Sequence, residues 1–127
     1  MDIQIILIIV LAVLLAVFII RRLYTPKYLK VLSQEEFIQG YRKAQLIDVR
    51  EPREYEGGHI LGARNIPMSQ LRQRVNEVRA DQTVYLYCQS GMRSRQAAKI
   101  IKKKRGATDL NHLKGGFRTW TGKVKKK

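Results

Sequence analysis

The feature that most constrains this chain is Ile5–Ile20, sixteen consecutive apolar residues without a polar interruption. With Ile3 and Gln4 the segment reaches eighteen residues, roughly 27 Å as a helix, close to the thickness of a bilayer's hydrocarbon core. A helix apolar on every side must be surrounded on every side, and the roughly one hundred residues that remain are too few to do it. A secretory signal is the competing reading, but Asp2 stands where such signals carry Lys or Arg, and no small-x-small cleavage site follows. The pattern predicts a transmembrane anchor over 3–20, a basic linker over 21–27, a folded domain over 28–122 and a basic tail over 123–127.

Charge sets the expected orientation. Arg21, Arg22, Lys27 and Lys30 follow the span with no acid among them, while Asp2 lies on the other side. By the positive-inside rule the protein is a single-pass cell-membrane protein with its carboxyl-terminal domain in the cytoplasm. A lone cysteine, Cys88, excludes an intramolecular disulfide and suits a reducing compartment. The two histidines, His59 and His112, are too far apart for a usual zinc site, so no metal is expected. The 25 Lys and Arg against 10 Asp and Glu give a formal net charge of +15, with runs at Lys102–Arg105 and Lys123–Lys127. No nucleic-acid-binding motif and no basic stripe with interleaved aromatics accompanies them, so no nucleic acid is expected. The expected partner of these runs is the anionic surface of the lipid bilayer.

Downstream of Thr25-Pro26 the pattern alternates strands and helices. Tyr28–Leu32 reads as a β-like stretch leading into Ser33-Gln34-Glu35-Glu36, a capping box that starts a helix with Phe37 and Tyr41 on one face. Gln45–Val49 and Ala63–Ile66 read as strands separated by a Gly57-Gly58 break. Ser69 is placed to cap a helix through Val78, with Leu71, Val75 and Val78 at helical spacing. Thr83–Tyr87 is the clearest strand, Arg93–Lys104 the clearest helix with Gly106 as its stop, Leu110–Leu113 a last strand, and Gly115–Trp120 a final helical turn. The predicted class is α/β, a mostly parallel sheet flanked by helices and preceded by one transmembrane helix.

In such sheets ligands collect beyond the carboxyl ends of the strands, where Cys88 stands. The amides of a short strand-to-helix loop and the following helix dipole stabilise a thiolate or anion there, and Arg93 adds a charge at the rim. A single cysteine at a strand end is also a common inert core residue.

Four segments in order then carry a family resemblance. They are Leu46-Ile47-Asp48-Val49-Arg50-Glu51 with Glu54-Tyr55; Gly58-His59-Ile60-Leu61-Gly62-Ala63 running on to Asn65-Ile66-Pro67; Tyr87-Cys88-Gln89-Ser90-Gly91-Met92-Arg93-Ser94; and Leu113-Lys114-Gly115-Gly116-Phe117 with Trp120. From about Tyr28 to Gly122 the chain resembles the rhodanese-like family of sulfurtransferases, as a membrane-anchored single-domain member. Leu61 stands where that family often has proline.

The resemblance implies that Cys88 accepts a sulfane sulfur from a small-molecule or protein donor such as thiosulfate. It would pass that sulfur, as a persulfide, to a thiol acceptor (thioredoxin-like, for instance) or to cyanide, without a cofactor. Gln89, Ser90, Gly91, Met92 and Arg93 would bind substrate, with Asp48, Arg50 and Ser94 in support. Asp48 and Arg50 read equally as an ion pair that fixes a turn, His59 as a turn-bonding residue, and Phe117 and Trp120 as core. A phosphatase or arsenate reductase is one competing function, disfavoured because Cys88 and Arg93 are separated by four residues where the phosphatase pattern has five. A membrane-tethered interaction module is another. Thiol redox chemistry is a third, which lacks a second cysteine.

Overall fold

A computed structural model describes residues 2–23 and 28–126. The apolar segment forms a single helix, α1 (Ile3–Leu23), with no buried residue; its most apolar eighteen-residue stretch has a mean hydropathy of 3.5, so it is long and apolar enough to cross a membrane. The helix continues through Arg21 and Arg22 into the segment read as linker. Thr25-Pro26 and Lys27 lie outside the described residues.

The domain is built on five strands, β1 (Leu29–Leu32), β2 (Gln45–Asp48), β4 (Arg64–Asn65), β5 (Val84–Tyr87) and β6 (Leu110–Leu113), with β3 (His59–Ile60) set apart. The sheet runs in the order β1-β6-β5-β2-β4, and each of its pairings is parallel. The helices are α2 (Gln34–Gly40), α3 (Pro52–Glu56), α4 (Leu71–Arg74) and α5 (Met92–Arg105). Short 3-10 turns at Tyr41–Lys43, Val75–Glu77 and Phe117–Thr119 complete the chain.

A parallel sheet is covered on both faces, and the two-residue period of the strands sorts the side chains between them. On β5, Val84 and Leu86 face a core made with Leu71, Val78, Ala97, Ala98 and Ile101 from the α4 and α5 side. Tyr85 and Tyr87 face the opposite core, with Phe37, Tyr41 and Ile60. Cys88 continues the first series and is fully buried. The capping box at Ser33 is present, the Glu36 amide donating to Ser33 Oγ and the Ser33 amide to Glu36. Such a cap is worth about 1 kcal/mol.

Three readings change. Ser69 does not cap a helix: its hydroxyl donates to the Glu51 carboxylate at 2.8 Å, and α4 starts at Leu71 and tightens to a 3-10 turn at Val75. The stretch after Arg50 holds a short helix, α3, because Pro52 at its first position needs no amide partner and Glu51 with Glu54 closes a capping box. The segment read as tail contributes β7 (Val124–Lys125), antiparallel to His59–Ile60. The Leu61 amide donates to Lys123 O at 3.1 Å, a bond a proline at 61 would forgo.

Candidate active site

β5 is the central strand of the sheet, and Cys88 follows it directly, so the cysteine lies where the sheet is flanked on both sides. The chain then turns through Gln89, Ser90 and Gly91 into α5. Gly91 occupies the left-handed region, with φ of 103°, and from there its amide donates to Cys88 Sγ at 2.9 Å. The second polar contact of the sulfur is Ser94 Oγ, one turn into α5, at 3.7 Å. Of the loop residues Ser90 and Met92 are exposed, Gln89 and Arg93 half-buried, and Gly91 and Ser94 buried.

The closing Gly-Gly pair fixes the loop from behind. Phe117 N donates to Cys88 O at 2.7 Å and Arg118 N to Gln89 O at 3.1 Å. A Cβ on Gly116, whose φ is 67°, would sit 2.5 Å from each of those carbonyl oxygens. Only a glycine lets the two backbones meet here.

Charge lines one side of the loop, and every charge there has a partner. Arg50 is buried and forms an ion pair with Asp48 at 2.7 Å, with a further bond to Gly58 O at 2.6 Å. Its Nη1 donates to Gln89 Oε1 at 3.2 Å, so the Asp48–Arg50 pair touches the loop through Gln89. The guanidinium also lies over the Phe117 ring, 4.2 Å from its centroid. Asn65 Nδ2 spans Asp48 O and Arg50 O and holds the turn that presents them. Arg93 does not stand free at the rim, as its place in the sequence suggested. Glu54 of α3 grips it through two bonds of 2.7 and 3.0 Å, and that contact holds the Glu54 carboxyl down at about 2.

On the other side of the loop the side chains next to the sulfur are uncharged. His112 on β6 pairs in register with Leu86 on β5, and the strand alternation turns its ring toward the α5 face. Its Nδ1 lies 2.9 Å from Ser94 Oγ, and burial depresses its pKa to about 4, leaving the ring uncharged. His59, by contrast, sits away from the sulfur, stacked on Tyr55 at 3.6 Å with Nδ1 against Tyr55 O at 2.8 Å. Trp120 packs edge-on to Phe37 and Tyr41 in the second core.

The structure therefore brings Cys88, Gln89, Gly91, Arg93, Ser94, Asp48 and Arg50 together. It adds three residues that the motif reading left without a role at the site: Glu54, Gly116 and His112. Glu54 was visible as an acid beside a strand end facing a basic loop. The alternation of β6 sets His112 on the same face as Leu110, but its place beside the Cys88 loop follows only from the pairing with β5.

The chain is 62% identical over 104 residues to the uncharacterized protein YqhL of Bacillus subtilis, covering 82% of each. It is 40% identical over 96 residues to the putative sulfur carrier protein YrkF of the same organism, covering 73% of this chain and 51% of that one. A rhodanese-related protein from Thermoplasma volcanium has the same fold, with a TM-score of 0.70 at 24% identity, covering 77% of this chain and 99% of that one. Residues 25–123 match the sequence profile described as a rhodanese-like domain, and the chain belongs to the rhodanese-like family.

Proposed function

We propose that the protein is a sulfurtransferase working through a persulfide on Cys88. The observation that carries this reading is the sulfur itself, at the carboxyl end of the central strand with the Gly91 amide aimed at it from 2.9 Å. Cys88 thiolate attacks the outer sulfur of a sulfane donor such as thiosulfate. The donor's S–S bond breaks, and sulfite leaves with the bonding pair. The outer persulfide sulfur is then attacked by an acceptor thiolate or cyanide, and Cys88 leaves as thiolate, so no external oxidant or reductant is required. The Gly91 amide stabilises negative charge on the sulfur at both stages.

With Arg93 already neutralised by Glu54, attraction of a small dianion by net charge is weaker than a free arginine would give. That favours partners presented by another protein, a persulfide as donor or a thiol as acceptor. Tethering by α1 would keep the domain at the cytoplasmic face of the membrane, with the basic surface toward anionic lipid.

Incubating the purified full chain with thiosulfate or a persulfidated donor and weighing it should reveal one added sulfur on Cys88. Cys88→Ser should take up none and lose transfer altogether, a drop of at least about a thousand-fold, because a hydroxyl cannot carry the sulfur. A wild-type chain that takes sulfur from no sulfane donor would leave the membrane-tethered interaction module in its place.

A further inference from the structure

Ser94 has one hydroxyl proton and three polar neighbours: Gly91 O at 3.0 Å, His112 Nδ1 at 2.9 Å and Cys88 Sγ at 3.7 Å. A carbonyl oxygen only accepts, so the bond to Gly91 O takes the Ser94 proton. The bond to His112 then exists only if Nδ1 carries a hydrogen and donates it to Ser94 Oγ. That tautomer leaves the Nε2 lone pair bare, and Nε2 is indeed buried with no hydrogen-bond partner.

We propose that His112 is a positioning residue for Cys88: its Nδ1–H pins the Ser94 oxygen, which frees the hydroxyl proton to swing from Gly91 O to the sulfur whenever the sulfur carries negative charge. In the thiol form Cys88 S–H donates to Ser94 Oγ and the hydroxyl rests on Gly91 O. In the thiolate form, both before sulfur is taken up and as Cys88 leaves the persulfide, the hydroxyl turns and joins the Gly91 amide as a second donor to Sγ. The thiol proton leaves to solvent base in a separate step, while Ser94 keeps its own hydroxyl proton throughout, so the device is a rotor rather than a base.

The groups facing the sulfur fit this division of labour. Arg93 from α5 is tied to Glu54, and Arg50 beyond β2 is tied to Asp48. On the His112 side, Arg21, Arg22, Arg95 and Lys114 line the same cavity as His112, and the positive charge of Arg95 adds to burial in disfavouring a proton on the ring. Burial, with the charge of Arg95 behind it, keeps Nε2 unprotonated, which preserves the tautomer the rotor needs.

This inference rests on the sulfurtransferase reading for its purpose but is tested without sulfur transfer. Alkylation of Cys88 by iodoacetamide would be followed against pH in the full chain in detergent, with circular dichroism to verify the fold. Ser94→Ala should slow alkylation at about pH 7 by roughly three- to ten-fold and move the profile to higher pH, because a donor to the sulfur anion is gone. His112→Leu should do the same, and the double variant should be no slower than Ser94→Ala alone. His112→Asn, whose amide N–H falls where Nδ1 lies, should stay near wild type. His112→Gln, whose amide falls nearer Nε2, should not, and this pair of variants decides the matter if the leucine variant fails to fold. A leucine profile that superimposes on wild type, or a double variant slowed by the product of the single effects, would overturn the proposal. So would equal behaviour of the Asn and Gln variants. If the shifts appear but no persulfide ever forms on Cys88, the rotor stands and the sulfurtransferase reading falls.

Discussion

The two sides of the Cys88 loop solve the same problem by opposite means. On the α3 side the site is held by full charges in pairs, Arg50 with Asp48 and Arg93 with Glu54. On the β6 side it is held by two groups without charge, Ser94 and His112, at 2.9 Å from one another. Buried ions demand partners because desolvation otherwise destabilises the fold, so the charged side is rigid and its cations have little left to offer a ligand. A hydroxyl beside a neutral imidazole costs little to reorient, so the uncharged side is where the site can respond to the state of the sulfur.

Asp48→Ala should break the charged side most severely. It leaves the Arg50 guanidinium buried without a counter-charge, and the unfolding free energy should fall by about 3–5 kcal/mol, read from thermal or urea unfolding of the full chain. A loss below about 1 kcal/mol would mean that Gly58 O, Gln89 and the Phe117 ring suffice to hold the cation.

Acid should separate the two sides by pH window. The folded-state pKa of His112 is depressed from 6.5 to about 4, so the unfolded chain takes up a proton that the folded chain refuses. The stability His112 contributes is complete above about pH 6.5 and is lost as pH falls toward about 4, by up to about 3 kcal/mol. The Glu54–Arg93 pair is also weakened by acid, but only as pH falls from 4.5 toward about 2. Urea midpoints measured across both windows should show the first loss in the wild type and not in His112→Leu. A leucine variant with an unchanged acid profile would assign the loss elsewhere.

The smallest effect concerns what Arg93 has left to give. Glu54→Gln removes the neutralising carboxylate, and transfer from an anionic donor should rise roughly two- to five-fold at low salt, with the gain erased by high salt. Arg93→Ala should move in the other direction, because it exposes Glu54 to the donor. Equal rates for both variants would show that charge at this rim is irrelevant to the donor.

Local chemistry made much of this legible. The capping box at Ser33, the β-branched strand before Cys88 and the glycine stop at Gly106 are decided by a few neighbouring residues, and each predicted element is present. What the sequence hid depends on register between distant strands. Nothing near His112 says that it lies beside Leu86, and nothing near Val124 says that it pairs with Ile60. Ser69 failed for a related reason: a serine before an apolar repeat is a cap only if no carboxylate competes for its hydroxyl, and Glu51 arrives from 18 residues upstream. Of the site, the cysteine loop and the Asp48–Arg50 pair were readable as motifs, whereas the pairing of Arg93 required knowing where α3 would fall.

The parallel pairing of β1 with β6 also governs the order of events when the chain is made. Leu29 finds its partner at Leu110, about eighty residues later. The apolar helix therefore leaves the ribosome long before the strand that completes the sheet exists, and until β6 arrives the edge of β1 is unpaired. Contacts of such long separation fold slowly, and intermediates with open strand edges are prone to aggregate. Early capture of α1 by a membrane would keep nascent copies apart during that interval, so the helix that contributes nothing to the core would act as a guard on the folding of the domain behind it.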